Sequence, residues 1–593
     1  MYAEYAKQVL FSPALYFFFL PMKLREALQV VQRPQPEATP YHLELVSGFE
    51  PLHLRVFLAA HARLRLQMDR PVVVRTGLFG DFGGNLERAL QSADAAPVAA
   101  VLEWPDLHPV LGWREAAYVV PGGGESALVE ELRDRLKQWS SLLASGARQV
   151  ALALPALPLP PWVGTRLKGQ RSRLVLEIDG LVQEFAREAA GRGVRVAERP
   201  AGAAWDPAKH LANGFPYNLE FTDSLASHLA DLILPAPPKK GLITDLDQTL
   251  WSGVVGDDGP EGVHWDLDHQ ARPHGWWQQF LAALAGRGTL LGVASKNDKQ
   301  PVEQALAREE MLVPAASLFP REVHWEEKAG SIQRIAAAWN VGLDSLVFVD
   351  DNPWEVEAVR QALPQVECVL FPAGDASGVV TALGQLADLF GVEAVGAEDL
   401  LRAASLRQRP ELEAQLTDSG AGLEGRLAQL GSRLRLDVRR PPARRALELI
   451  NKTNQFNLNG IRWEEADWLA WCARPEARVA LLGYEDRFGP LGNIAVVAAE
   501  QHGEVLTVRS WVMSCRAFSR RIEFATLRLV LQQWPSQRIE FDWRRTERNG
   551  PTAAALELLV GSLPGSGKLG SNVTALQKSL PPLYLDKCEI LEN

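Results

Sequence analysis

The chain has 593 residues, 47% hydrophobic and 23% charged, a soluble composition with room for three or four domains. Its formal net charge of −10 argues against a general nucleic-acid binder, which is normally basic. Cys368, Cys472, Cys515 and Cys588 lie far apart with no CxxC, so neither a zinc site nor a disulfide framework is expected, and a reducing cytoplasmic setting is.

Taken in chain order, VLFSPALYFFFLP (9–21) is too short and too proline-punctuated to span a bilayer and reads as a buried N-terminal element. Up to residue 235, apolar runs at 71–84, 96–104 and 148–160 read as strands, and ESALVEELRDRLKQWSSLLA (125–144) has the three-and-four spacing of a helix. Strands alternating with helices predict a mainly parallel sheet covered on both faces. LPAPPKK (234–240) reads as a linker. Over 240–393 the alternation returns, with GLITDLD, LLGVASKN, SLVFVDD and VECVLF as strands. Residues 398–430 read as a helical connector. Residues 431–563 mix strands (LRLDVRR, RVALLGYED, IAVVAAEQ, VLTVRSWV) with helices such as 519–534, and the Gly/Ser-rich tail, 564–593, is expected to be flexible. The fold class expected is therefore α/β and multidomain.

The middle block carries the chemistry. Asp245 and Asp247 end a hydrophobic run, with Thr249 close behind. Two carboxylates so close repel unless a cation sits between them or one holds a proton, which points to an oxygen-preferring metal such as magnesium. The next strand ends in Ser295, followed by Lys296 and Asn297; a helical stretch brings Lys328; and a further strand ends in Asp350 and Asp351. In an open parallel sheet such ends converge on one crevice. A carboxylate can attack phosphorus, a second can move protons, and a hydroxyl and an ammonium can hold phosphoryl oxygens.

This order of groups resembles the haloacid dehalogenase-like (HAD) phosphohydrolases, and DLDQTLWSGVVGDDG, GVASKND, VFVDDNP and NKTNQFNL resemble the FkbH-like glyceryltransferase/phosphatases. The resemblance implies an uncapped Rossmann-like domain with Asp245 as nucleophile and metal ligand and Asp247 as acid/base and, through its backbone carbonyl, a magnesium ligand. Ser295 and Lys328 would hold phosphate, and Asp350 and Asp351 would complete a Mg2+ site. It implies SGVVGDDG (252–259) as a flap. It further implies removal of phosphate from 1,3-bisphosphoglycerate and loading of a glyceryl-type three-carbon unit onto an acyl carrier protein for polyketide assembly. No nucleic acid or membrane partner is expected.

The chain departs from that pattern at Ala294, where many relatives carry cysteine; Cys515 is the substitute if an acyl-enzyme forms, with a small core residue as the alternative. The third block resembles an acetyltransferase-like (GNAT-like) α+β fold, in which Asn454, Gln455 and Asn457 could read a pantetheine arm or could be a structural turn. Arg439, Arg440, Arg444 and Arg445 could dock an acidic carrier or form a solvated face. The first block resembles an SGNH-type hydrolase with Phe82 in the serine position, leaving Asp206 and His210 unable to do that chemistry alone. A free phosphatase and a non-catalytic carrier-binding scaffold stand as alternatives.

Overall fold

The computed structural model describes residues 22–592 except 35–37, 93, 95, 115–123, 145–147, 393–395, 397–399, 401–426, 428–429, 441, 443, 454, 488, 515–516, 519, 547–548 and 583–586. The 9–21 element, Asn454 and Cys515 lie outside the described residues, as does almost all of the 398–430 connector. The chain divides into two compact units, Met1–Pro237 and Pro238–Asn593, with the division inside LPAPPKK.

In the first unit, β1 (Tyr41–Ser47), β2 (Val72–Thr76), β3 (Val98–Val101), β4 (Val150–Ala153) and β5 (Arg195–Val196) run parallel in the order β2-β1-β3-β4-β5. All four residues of β3 and of β4 are buried, as a parallel sheet covered on both faces requires. Helix α1 (Phe82–Gln91) follows β2, and α2 spans Glu125–Ala144, the residues its periodicity predicts. Leu128, Leu132, Leu136, Trp139 and Leu143 form its buried stripe. Two expectations change here. The alternating YHLELVS forms β1, which the apolar-run reading missed. The 71–84 run is strand only to Thr76, because glycines follow and Asp81 caps α1 by accepting the Gly84 N–H at 2.8 Å.

The second unit carries two sheets. In the first of them, β6 (Gly241–Thr244), β7 (Leu290–Ser295), β8 (Leu318–Val323), β9 (Leu346–Asp350) and β10 (Glu367–Leu370) are all parallel, in the order β10-β9-β6-β7-β8. β6, β7 and β9 are buried at every position. Strand β8 was not foreseen; its proline, Pro320, is tolerated because β8 is an edge strand. The short helix α3 (Val255–Asp258) and α4 (Arg272–Gly286) connect β6 to β7, and α5 (Lys328–Trp339) leads from β8 to β9. Helix α6 (Pro353–Ala362) follows β9; Asn352 caps it and Pro353 supplies a preset φ at its first position. Glycines at 241 and 292 let the sheet approach the Trp339 ring: a Cβ at Gly241 would lie 2.6 Å from it. Among the described residues no cap domain separates β6 from β7.

The second sheet of this unit is mixed. It contains β11 (Arg433–Asp437), β12 (Phe456–Asn457), β13 (Ala477–Asp486), β14 (Gly489–His502), β15 (Val505–Met513), β16 (Arg538–Arg544), β17 (Ser566–Asn572) and β18 (Lys587–Leu591). The order is β17-β16-β15-β14-β13-β11-β18, with β12 paired to β15. Helix α7 (Ile522–Gln533) falls within the expected 519–534. The tail is the clear correction. SGKLGSN forms β17 antiparallel to β16 over seven residue pairs, and KCEIL forms β18 parallel to β11, so residues expected to be flexible supply both edge strands of the sheet. Small residues had suggested a flexible tail, but an edge strand needs only backbone groups to pair.

Candidate active site

β6 lies between β9 and β7, so the carboxyl ends of these three strands and the start of α5 bring their polar groups to one crevice, the ligand position of open parallel sheets. Asp245 is 7% exposed and Asp350 fully buried. The Lys328 ammonium, 5% exposed, lies 3.0 Å from Asp245 Oδ2 and 2.5 Å from Asp350 Oδ2. The Asn352 N–H donates to Asp350 Oδ1 at 2.8 Å. Asp351 is held by Thr249, whose hydroxyl donates to Asp351 Oδ1 at 3.1 Å and accepts the Asp351 N–H at 3.0 Å.

Two carboxyls therefore share one ammonium, with a third close by. Burial pushes Asp245 up to about 6, with Lys328 pulling the other way and Asp350 adding to the rise. Asp350 is raised by burial against the pull of Lys328, and Asp351 by burial and then by the charge of Asp245. Burial works against the Lys328 charge, but Asp245 and Asp350 outweigh it and its pKa is raised. The surplus negative charge calls for a cation, and two observations fit one. Asp245, Asp350 and Asp351 each offer an oxygen within 4.8 Å of the others. Asp245 Oδ1 is buried and accepts no hydrogen bond, a costly arrangement unless something outside the chain is bound there. An all-oxygen donor set suits magnesium.

Asp247 is gripped separately. Its Oδ1 accepts the Trp251 indole N–H at 2.8 Å and the Val255 N–H at 3.0 Å, and its Oδ2 accepts the Asn297 amide at 2.8 Å. The same Asn297 amide lies 3.3 Å from the hydroxyl of Ser295, itself 4% exposed. Asn297 and Trp251 are thus site residues that sequence reasoning left without a role; the polar Asn297 two residues past a buried strand end was the available signal. The SGVVGDDG stretch is anchored by the Val255 N–H on Asp247 and by paired backbone bonds between Ser252 and His264. Gln248, just past Asp247, takes a left-handed φ of 55°, the sharp turn that lets Trp251 reach back.

The other expected site residues stand on the mixed sheet or in the first unit. Asn457 is 1% exposed and serves its own chain: its Oδ1 accepts the Asn459 and Gly460 N–H groups, and its Nδ2 donates to Thr453 O. The arrangement around it explains why. β15 and β16 pair only from Val505↔Arg538 to Val508↔Phe541, and farther along β15 pairs with β12 instead. Asn459 bridges the two strands beyond the pairing, donating to Arg509 O at 2.8 Å and Asp542 O at 3.0 Å. The QFNLN segment (455–459) is thus the filling of a wedge between strands, and the Asn457 side chain is spent on its own chain. Gln455 keeps a buried, unpartnered Oε1.

Of the basic cluster, Arg439 pairs with Asp437, Arg445 with Glu448, and Arg440 donates to backbone carbonyls at 474 and 475, so much of that charge is spent locally. Cys368 and Cys472 are pushed up by burial to about 12 and about 11, and Cys588 is raised too, so none of the described thiols is poised as a thiolate. Ala294 is fully buried in the apolar cluster that includes Ile243, Ile335 and Trp339. Phe82 is buried with its ring 4.9 Å from that of Trp139. His210 Nδ1 accepts the Trp205 indole N–H at 3.2 Å, whereas Asp206 caps the helix Pro207–Asn213 and pairs with Lys209.

No protein-family model matches the chain, and no curated protein does. Among solved structures, the chain is similar to the N-terminal part of protein BF1531 from Bacteroides fragilis, which contains a phosphatase domain and is complexed with Mg. The match has 18% identity and a TM-score of 0.51, and covers 63% of this chain and 100% of that one. At that identity the likeness is one of fold. An uncharacterised protein from Corynebacterium glutamicum ATCC 13032 Kitasato aligns with 22% identity over 26% of this chain and 98% of its own, at a TM-score of 0.19, too low to speak for the fold. Among the described residues, no helix is long and apolar enough to cross a membrane.

Proposed function

We propose that the crevice at β6, β7 and β9 is the active site of a magnesium-dependent phosphohydrolase working through an aspartyl-phosphate on Asp245. The observation that carries this reading is the orphaned, buried Asp245 Oδ1 within a cluster of three carboxyls and one lysine. The likeness of fold to a magnesium-complexed protein containing a phosphatase domain supports it. Asp245, Asp350 and Asp351 would hold the ion, which when bound offsets the repulsion between an anionic nucleophile and a phosphate.

The chain's own residues do the rest. The Asp245 carboxylate attacks phosphorus as the bond to the leaving oxygen breaks, and Asp247 passes that oxygen a proton. Asp247 then takes a proton from a water that attacks the phosphoryl group, releasing phosphate and the Asp245 carboxylate. Two groups fix Asp247 Oδ1 and one fixes Oδ2, so Oδ2 keeps a lone pair for the proton. Ser295 and Lys328 receive the phosphoryl oxygens. Phosphate release from phosphate esters with magnesium, abolished in Asp245→Asn, tests this reading; turnover without magnesium, or undiminished in that variant, refutes it.

A finer reading is that the site loads a glyceryl-type three-carbon unit from 1,3-bisphosphoglycerate onto an acyl carrier protein. The absence of a cap among the described residues favours it, since an open crevice admits a protein-tethered acceptor. With alanine at 294, transfer would pass directly to the carrier thiol or through Cys515. Intact-protein mass spectrometry with 1,3-bisphosphoglycerate, magnesium and a holo carrier decides. A glyceryl adduct on the carrier supports this reading, and phosphate release with no adduct leaves the hydrolase.

A further inference from the structure

Among the described residues the two most exposed tryptophans are Trp325, 69% exposed, and Trp354, 83% exposed. Both stand three residues from the site: Trp325 before Lys328, in the loop between β8 and α5, and Trp354 after Asp351, in the first turn of α6. Large aromatic side chains are normally buried, so two left bare at one crevice mark a surface waiting for a partner.

Trp325, and the residue beside Trp354, are fastened to the loop that follows β7. The Trp325 indole N–H donates to Asp298 at 3.0 Å, which fixes the ring. Glu355, beside Trp354, accepts from Lys296 at 2.6 Å. Between those two anchors lies Asn297, the residue that holds Asp247. The three loops therefore form one rim, in which Lys296 and Arg334 are already paired. Lys296 pairs with Glu355, and Arg334 with Glu322 at 2.6 Å and Glu326 at 3.1 Å, while Asp298, bonded to the neutral indole, keeps its negative charge. What this rim offers a substrate is a flat π surface.

Resting on the phosphohydrolase reading and departing from the glyceryl one, we infer that Trp325 and Trp354 seat the leaving group of the substrate, and that this group is aromatic or otherwise flat and apolar. Phosphorus would lie at Asp245 and the organic part would extend over the indoles. Neither tryptophan touches the reacting atoms; each sets specificity.

The test is the ratio of kcat/KM for 2-naphthyl phosphate to that for glycerol 3-phosphate, with magnesium, in the full chain. Trp325→Ala and Trp354→Ala are each expected to lower the ratio roughly tenfold, mainly through KM for the naphthyl ester, as loss of an aromatic contact does. Trp354→Phe retains most of the ratio and Trp354→Gln does not; both positions are at the surface, so this pair guards against a folding defect. A ratio unmoved by all four variants, or the same ratio in Phe and Gln, overturns the rim assignment and leaves the hydrolase. No hydrolysis of either ester by the unaltered protein overturns the hydrolase reading and the rim with it.

Discussion

Lys328→Met is the perturbation that probes the charge arrangement most sharply. The ammonium is nearly fully buried and bonded to two buried carboxylates at 3.0 and 2.5 Å, with Asp351 close by. Removing one partner of a buried ion pair typically costs about 3–5 kcal/mol, because the remaining charge is left without compensation. In hydrogen-exchange terms that is about a hundred- to several-thousand-fold faster exchange, at 1.36 kcal/mol per tenfold. The amide to watch is Asp245 N–H, which donates to Val349 O at 2.9 Å and joins β6 to β9. Exchange mass spectrometry of the full chain, with and without millimolar magnesium, reads it. Magnesium should restore most of the variant's protection, since a cation returns to the carboxyl cluster. The penalty should shrink as pH falls, and from above pH 6, because Lys328 is what pulls Asp245 down to about 6 and without it burial and Asp350 hold the carboxyl higher still. Unchanged protection, or a loss that magnesium does not repair, would refute the reasoning.

Three further outcomes follow from the same geometry. Asp247→Asn should slow turnover roughly 10²–10⁴-fold while leaving phosphorylation of Asp245 detectable, measured by steady-state phosphate release and phosphoenzyme trapping. In the first unit, burial pushes Glu103 from 4.5 up to about 7, although Tyr217 and the Ala156 and Leu157 N–H groups donate to it. The folded state thus binds this proton more tightly than the unfolded one. The contribution is fully present below 4.5 and is lost as pH rises through about 7, amounting to about 3 kcal/mol. Hydrogen exchange in β3 and β4 across that window should show the slope, and Glu103→Gln should flatten it. Deleting residues 564–593 removes β17 and β18 and leaves β16 and β11 as bare edges, so the shortened chain should aggregate or be cleaved within the mixed sheet under limited proteolysis.

Much of the central sheet was legible because buried parallel strands write themselves as unbroken apolar runs. GLIT, LLGVAS and LVFVD are buried at every position, and the polar residue that ends each run is a site residue or adjoins one. Strand β8 was hidden by Pro320, which reads as a break unless one knows the strand is at an edge. β1 was hidden by its own alternation, and the tail by small residues whose contribution is backbone pairing alone. In the site, Asp245, Lys328, Asp350 and Asp351 meet as their spacing along the chain suggested. The grip on Asp247 depends on a turn at Gln248 that folds Trp251 back, a tertiary event with no local signature. The amides of Asn457 and Asn459 were ambiguous for a related reason: side chains that could read a ligand can equally bridge two diverging strands, and only the register of β15 and β16 tells the two apart.

The most direct test of the central claim is to quench the reacting enzyme with borohydride, which reduces an acyl phosphate to an alcohol, and to map the modified residue by peptide mass spectrometry. The account predicts homoserine at position 245 when magnesium and a phosphate ester are both present, still detectable in Asp247→Asn and absent from Asp245→Asn. Phosphate released at the normal rate with position 245 still aspartate in every sample would contradict it.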